Sequence, residues 1–476
     1  MTSPKYSSAI AQDLRTVGNY SFHWTKEHIP KEKTDPLRFE HDELGAATIK
    51  IIQKIHQREQ EVHKQRGEQI EQLDMFATLK ANRHHDETLK KFWTQVNTVP
   101  DWVNWEQLKR GQHFFYRYAL GNIIGFALQG FVGENSASTS VVEVLLRTGG
   151  FSTRSLRRRL LETFQLVLEV THSLDFIKPG GKGHETTVRV RLLHSMVQQR
   201  MLRVAEVKGP SYYDTSIHGV PMNTLDSIHA LATFSCNHAW QQLPHMGIRP
   251  AQQEIEDYIA LWRYVGHVIG TPTDFFATTS QAKAIMESLS YNELRITPSS
   301  LVVGHNFVEA LKDLPPVNIS AGFIQAGSRR LNGDDICDQL GMGHPGWYPY
   351  ACFKGHCWLV VALASAQHWI PSFEAWSVQF CRETLHNSII HSKYGLKGGS
   401  LLNFKYVPDG QITGCEKNDR LDGDHMWFYE RPLELLYFVV FCGGCLSMIG
   451  SAIIVACLLL RFVPYSVALL GMKQDK

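Results

Sequence analysis

Val188-Arg189-Val190-Arg191-Leu192-Leu193-His194-Ser195-Met196-Val197 is the stretch whose reading decides the fold. At about 100° per residue, Val190, His194, Val197 and Met201 share one helical face, while alternation along a strand would scatter them. The same period appears just upstream, in Leu156-Arg157-Arg158-Arg159-Leu160-Leu161-Glu162-Thr163-Phe164. There Leu156, Leu160, Phe164 and Val167 form an apolar stripe. Arg159, Glu162 and Thr163, spaced i, i+3, i+4, share the adjoining face. The first helix thus sets a histidine among apolar residues, and the second sets a cation, a carboxylate and a hydroxyl beside a core.

Outward from this pair the chain keeps the helical period. Ser152 or Thr153 can cap a helix through about Thr171. Pro179-Gly180-Gly181-Lys182-Gly183 reads as a loop, and Thr186 or Thr187 can cap the next helix to about Glu206. Gly219-Val220-Pro221-Met222-Asn223 is a turn, with Asn223 a cap for a helix to about Leu243. Residues 252–269 form a further helix, stopped by Gly270-Thr271-Pro272. Residues 101–131, from Trp102 and Trp105 to Phe126 and Phe131, form a buried helix or helix pair that Asn122 and Gln129 make too polar to span a bilayer. Residues 42–92 read as one or two solvated helices, and residues 1–37, broken by Pro30 and Pro36, as irregular. Strand signals are few; the clearest is Leu402–Val407. No internal repeat is evident.

The C-terminus differs. Leu435–Leu460 is an uncharged apolar run, about 39 Å long as a helix against a hydrocarbon core of about 30 Å. Tyr437 near one end and Arg461 beyond the other suit interfacial anchoring. Gly443, Ser447 and Ser451 form a small-residue face, which is also common in membrane helices generally. The chain begins Met1-Thr2-Ser3-Pro4-Lys5-Tyr6 without an apolar leader. A tail anchor with the larger domain in the cytosol, most simply on the endoplasmic reticulum, is therefore expected. Arg461, Lys473 and Lys476 after the span balance Lys417, Arg420 and Arg431 before it, so charge does not set the orientation.

The net charge of +2 gives no electrostatic footprint for nucleic acid. The nine cysteines lack disulfide-scaffold density and read as free thiols. Cys442 and Cys445 have CxxC spacing, but inside an apolar run. Cys352, His356, Cys357 and His368 lack clean zinc spacing, and His386 and His391 are not i, i+4. The sequons at Asn19 and Asn318 do not establish secretion. No Walker loop, G-x-S-x-G elbow, H-E-x-x-H or G-x-G-x-x-G is present. His229, His238 and His267 read as core or surface histidines, and Asn223 and Asp226 as caps.

The chemistry therefore rests on the helix pair. A histidine on an apolar face is ordinarily satisfied by a backbone carbonyl. A neutral imidazole in an apolar pocket is also what an axial haem ligand needs, and Arg189 or Arg191 could meet a propionate. The arrangement Arg159-Leu-Leu-Glu162-Thr163 followed by Arg189-Val-Arg191-Leu-Leu-His194 resembles the haem-b oxygenase family of rubber oxygenase (latex clearing protein) and the endoplasmic-reticulum-bound MpaB-type oxygenase. Thr148-Gly-Gly-Phe-Ser152, Gly219-Val-Pro-Met-Asn223 with Asp226, Trp262-Arg-Tyr-Val-Gly266 and Arg330-Leu-Asn-Gly-Asp334 extend the likeness, in order, over roughly residues 95–345.

The resemblance implies an all-α, globin-like haem-binding core with a C-terminal transmembrane helix. It implies haem b with His194 as the iron ligand, and Arg159, Glu162 and Thr163 beside bound dioxygen. The activity implied is oxidation or cleavage of a C=C bond in a lipophilic, isoprenoid-like substrate. Glu162 departs from the family, which has lysine there, so iron ligation from that position is in doubt. A general base for an allylic proton, or a carboxyl positioning dioxygen, is the role read for Glu162 instead. The organisation expected is a polar extension (1–94), the oxygenase-like domain (95–345), a C-terminal extension (346–432), the anchor (433–463) and a short tail (464–476). A haem sensor or carrier without turnover, or a cofactor-free tail-anchored scaffold, is the competing expectation.

Overall fold

Apolar stripes repeating every three to four residues must be buried against one another, and helix packed on helix does so with all backbone groups paired. The computed structural model describes residues 13–66, 73–149, 152–315, 318–403 and 430–471, with the side chains of 153–154 and 455–471 left aside. Its strands among these residues are β1 (Leu14–Val17) and β2 (Tyr20–His23). The N-terminal helices are α1 (Glu43–Arg66), α2 (Met75–Asn82), α3 (Glu87–Asn97), α4 (Trp105–Arg117) and α5 (Ala119–Gly125). The central set is α6 (Thr139–Arg147), α7 (Thr153–His172), α8 (Lys182–Lys208), α9 (Thr224–Asn237) and α10 (Gln252–Ile269). α11 (Thr279–Glu293), α12 (Pro298–Leu311), α13 (Ala321–Asn332), α14 (Trp347–Trp369), α15 (Pro371–His386) and α16 (Pro432–Gly471) complete the chain.

Caps account for several helix starts. Asp74, Asp86, Asn104, Asn223, Thr278 and Ser320 each accept a backbone N–H of the following turn. Ser152 precedes α7 as expected, but its hydroxyl donates back to the Gly149 carbonyl instead of capping. α8 begins four residues before Thr186. Gly181 leads into it, and Gly183 lets its backbone approach α7, where a Cβ would stand 2.5 Å from the Glu169 carbonyl. Thr186 and Thr187 lie inside the helix, buried. Residues 14–23 are more regular than their composition suggests. Gly18 at φ 56° and Asn19 turn the chain tightly between β1 and β2, pairing Val17 with Tyr20.

A continuous hydrophobic core runs from Ile49 and Ile52 on α1 through Trp262 and Tyr258 on α10 to Tyr437 on α16. Residues from the sequence regions 1–94 and 346–432 thus share one core with the central helices. α5 passes into a π-helical segment, Phe126–Asn135, with a second at His238–Gln242. Such wide turns re-aim side chains that a regular α-helix would send elsewhere. Leu402 and Asn403 form no strand, and the remainder of Leu402–Val407 lies outside the described residues.

α16 is one helix from Pro432 to Gly471. Its Pro432–Ile454 stretch is long and apolar enough to cross a membrane by length and composition. Its first turns belong to the domain. Tyr437 is fully buried and stacks on Phe323, and the Trp358 ring stacks on Phe441. Gly443 has open space around it.

Candidate active site

α7 and α8 face a cavity of about 290 Å³, at the small end of the range for ligand pockets. Its apolar wall includes Phe126, Phe131, Leu166, Val190, Phe234 and Trp262. The two π-helical residues arrive there because the wide turns rotate them inward. α8 contributes Val190, Leu193, His194 and Val197, and α7 contributes Arg159, Glu162, Thr163 and Leu166. Both sets follow i, i+3, i+4, i+7. The structure therefore gathers His194, Arg159, Glu162 and Thr163 at one cavity.

His194 opens onto this cavity and, behind it, onto a polar recess of about 30 Å³ lined by Asp42, Arg191, Ser195 and Asn223. Burial pushes its pKa down to about 4, with the Asp42 carboxylate pulling weakly the other way. The imidazole is therefore neutral at ordinary pH. Its nitrogens take no hydrogen bond among the described residues. A recess of this size holds one water with several polar partners.

Glu162 is tightly held. Arg159 Nη1 donates to its Oε2 at 2.9 Å, and Arg158 Nε to its Oε1 at 3.0 Å. Ser400 Oγ also donates to Oε1, at 2.7 Å. Ser400 is pinned in turn by reciprocal bonds with Gln165, and Leu402, at φ 54°, turns its side chain into the cavity wall. Residues 392–402 thus form a strap across α7. Thr163 donates its hydroxyl hydrogen to the Arg159 carbonyl at 3.0 Å, which fixes that rotamer.

The arginines proposed for propionates are not at the cavity. Arg189 makes a bidentate pair with Asp74 at 2.6 and 3.0 Å and also bonds Glu185. Arg191 is bidentate to Asp42 at 2.6 and 2.8 Å and reaches Gln95 at 2.9 Å. The reason is angular. Five residues before His194 is a rotation of about 140° around the helix, and three residues before is about 60°. Arg189 thus faces away, and Arg191 faces only the recess.

The structure also sorts the residues read as caps and core histidines. Asn223 caps α9, which frees Asp226 to line the cavity. Asp226 accepts Ser140 Oγ at 2.5 Å and Asn223 Nδ2 at 2.9 Å, and burial pushes its pKa up to about 6. Beneath the cavity, Glu134 takes His229 Nε2 at 2.6 Å and Thr233 Oγ1 at 3.0 Å, so His229 is a paired core histidine. His238 is buried among Phe126, Phe115 and Tyr258 with Nδ1 unpartnered. The Asn-x-x-Asp spacing was the available signal for Asp226, since a cap at Asn223 leaves the third helical position free. Among the described residues no three His, Cys, Asp or Glu side chains could jointly hold a metal ion.

The family model described as "ER-bound oxygenase mpaB/B'/Rubber oxygenase, catalytic domain" matches residues 116–362. The rubber oxygenase of Streptomyces sp. (strain K30) is 24% identical over 267 residues, 53% of this chain and 60% of that protein. The chain therefore spans about 60% of that relative's length. A solved structure of latex clearing protein in the closed state superposes with a TM-score of 0.50 at 18% identity. The superposition covers 63% of this chain and 79% of that one, and it supports the same helical fold.

Proposed function

Because the chain belongs to the family of ER-bound MpaB-type and rubber oxygenases, we propose that it is an oxygenase, membrane-anchored and haem-b-dependent. Its reaction would be oxidative cleavage or oxidation of a C=C bond in a lipophilic, isoprenoid-like substrate. The observation that carries this reading is His194, a neutral imidazole with no hydrogen bond among the described residues, opening on an apolar cavity that also holds Arg159, Glu162 and Thr163.

These residues fit a haem. His194 would hold the iron through one nitrogen, and a water in the Asp42–Ser195 recess would take the other. When bound, haem supplies activation of dioxygen. The chain supplies the rest. The aromatic wall excludes bulk water and favours an apolar substrate. Arg159 presents a guanidinium edge where negative charge develops on oxygen. Glu162 holds Arg159 and the strap. The general-base role is the alternative for Glu162, but both carboxylate oxygens already accept donors, which favours positioning. Asp226, with its raised pKa, can carry a proton at the cavity wall. α16 would place the cavity near a bilayer where a lipophilic alkene partitions, with the domain on the cytosolic face of the endoplasmic reticulum.

The test uses the full chain in detergent. A Soret band that His194→Ala abolishes is expected, together with oxygen uptake on a lipophilic alkene. A band without uptake would instead favour a haem sensor or carrier, and no band would remove haem from the reading.

A further inference from the structure

The surface where α14 meets α15 carries large aromatic side chains into solvent. Trp369 is 79% exposed, Ile370 50%, Trp376 59% and Phe380 52%. Phe373, Trp376 and Phe380 stack in sequence, with ring centroids 5.8 and 5.3 Å apart. They form one stripe on α15, whose opposite face buries Val378 and pairs Glu374 with Arg117. Scattered exposed apolar residues are ordinary in soluble proteins, but a contiguous run of this size marks an interaction surface.

The position of α16 says what covers it. Tyr348 packs on Phe438, Gly355 on the backbone of Tyr437, and Trp358 on Phe441 and Gly444. Tyr348, at the start of α14, lies within electrostatic reach of Arg431 and Glu434, and Trp358 ten residues on meets Gly444, so α14 and α16 run in the same direction. Trp369 is eleven residues beyond Trp358, about 16 Å farther along the axis. That carries the α14–α15 corner toward the end of the domain from which the exposed stretch of α16 leaves. Leu446, Met448, Ile449, Ile453 and Ile454 in this region are more than half exposed. The corner and the bare apolar half of α16 therefore lie toward the same end of the domain. Tryptophan beside an apolar span is the composition of a membrane interface.

We propose that the α14–α15 corner is a second membrane contact. Trp369, Ile370, Phe373, Trp376 and Phe380 would lie at the headgroup–acyl boundary of the bilayer that α16 enters. The partner is the phospholipid surface itself. This rests on the anchor reading above and extends it, since one spanning helix leaves the domain free to tilt and a second contact fixes its face. The chain continues from α15 through Asn387–His391 into the strap that ends at Ser400 and Leu402 on the cavity. The face turned to lipid is thus joined directly to the cavity wall.

The experiment places the full chain in phosphatidylcholine vesicles and compares tryptophan emission with and without brominated lipid. Bromine near the top of the acyl chains is expected to quench the wild type more than bromine at the bilayer centre. Most of that quenching should disappear in Trp369→Phe/Trp376→Phe. It should persist in Trp347→Phe, whose residue is 71% exposed at the far end of α14. Equal quenching in the double variant and the wild type would overturn the proposal, as would stronger quenching from the bilayer centre. A carbonate wash separates the two readings. Release of the wild-type chain sinks the anchor and the corner together, while retention without shallow quenching sinks the corner alone.

Discussion

Glu162→Gln is the substitution that separates positioning from proton transfer. The side chain keeps its shape but loses its charge, and one of its two acceptor oxygens becomes an amide donor. Glu162 is 6% exposed, Arg159 19% and Arg158 64%. The bond to the half-enclosed Arg159 is charge-assisted and worth about 1.5–3 kcal/mol, and the bond to solvated Arg158 about 0.2–1 kcal/mol. The glutamine carbonyl can still accept from Ser400 and one guanidinium, while its amide nitrogen faces the other. A net loss of about 2–3 kcal/mol follows, or about 2–3 °C in melting temperature for a chain of 476 residues.

Positioning also predicts a moderate kinetic effect. A loosened Arg159 should cost about 10- to 100-fold in oxygen uptake, with the shape of the pH profile retained. Loss of a proton carrier should cost up to about 10⁴-fold and remove one ionisation from the profile. Differential scanning fluorimetry and oxygen-electrode rates across pH measure both. A variant that melts with the wild type and consumes oxygen at the wild-type rate would refute the reasoning, because neither the clamp nor the carboxylate would then matter.

Other expectations follow from single features. His194→Ala should abolish the Soret band with little loss of fold, as judged by circular dichroism. Since the imidazole stays neutral down to about pH 4, haem retention in the wild type should be flat above pH 5 and fall about tenfold per unit below pH 4; a midpoint near pH 6.5 would contradict the buried environment. Burial pushes the pKa of His238 down to about 3, so between that value and about 6.5 the unfolded chain binds the extra proton. Stability from this group is therefore complete above about pH 6.5 and lost as pH falls, at about 1.36 kcal/mol per unit. In His238→Phe, the stability difference between pH 7 and pH 5 in urea titrations should shrink by about 2 kcal/mol, and an unchanged difference would count against it. Gly355→Ala should destabilise the α14–α16 contact by about 1–3 kcal/mol, because its methyl would overlap the Tyr437 carbonyl; faster amide exchange in α14 reports it, and wild-type exchange would show that the helices can part freely.

The helix pair that carries the site was legible because its signal is local. Val190, His194 and Val197, like Arg159, Glu162 and Thr163, reach one cavity simply by helical spacing. The same arithmetic, applied fully, would have turned Arg189 away, since 140° of rotation puts it on the Asp74 side. The strap was not legible, because Ser400 meets Glu162 across 238 residues of sequence and its path depends on positive φ at Lys397, Gly398, Gly399 and Leu402. Nor were the π-helical turns that bring Phe126 and Phe131 to the cavity, since no residue pattern distinguishes them from ordinary helix. The start of α8 was misplaced for a related reason. Capping threonines gave the stronger sequence signal, but the close approach to Glu169 that only Gly183 permits governs the start.

The apolar tail was read as an appendage, and the structure makes its first turns part of the domain. Arg431 pairs with Asp313 at 2.9 Å, Glu434 accepts the backbone N–H of Ser320 at the start of α13, and Tyr437 is wholly buried against Phe323 of the same helix. α13 in turn packs Gly327 on Leu128, inside the π-helical segment that supplies Phe126 and Phe131 to the cavity. A cut before Pro432 would remove the Tyr437 side chain, worth about 1.5–3 kcal/mol on its own, bare one face of Phe323 and leave the Ser320 N–H without Glu434, at about 1–3 kcal/mol more. Together these losses reach the lower end of the stability of an ordinary domain, about 5–15 kcal/mol. Removing everything after Cys445 instead leaves those contacts intact and takes away the exposed apolar half. Haem retention should therefore fail in the shorter chain and survive in the longer one. Equal retention in both would mean that the first turns of α16 do not brace the cavity wall.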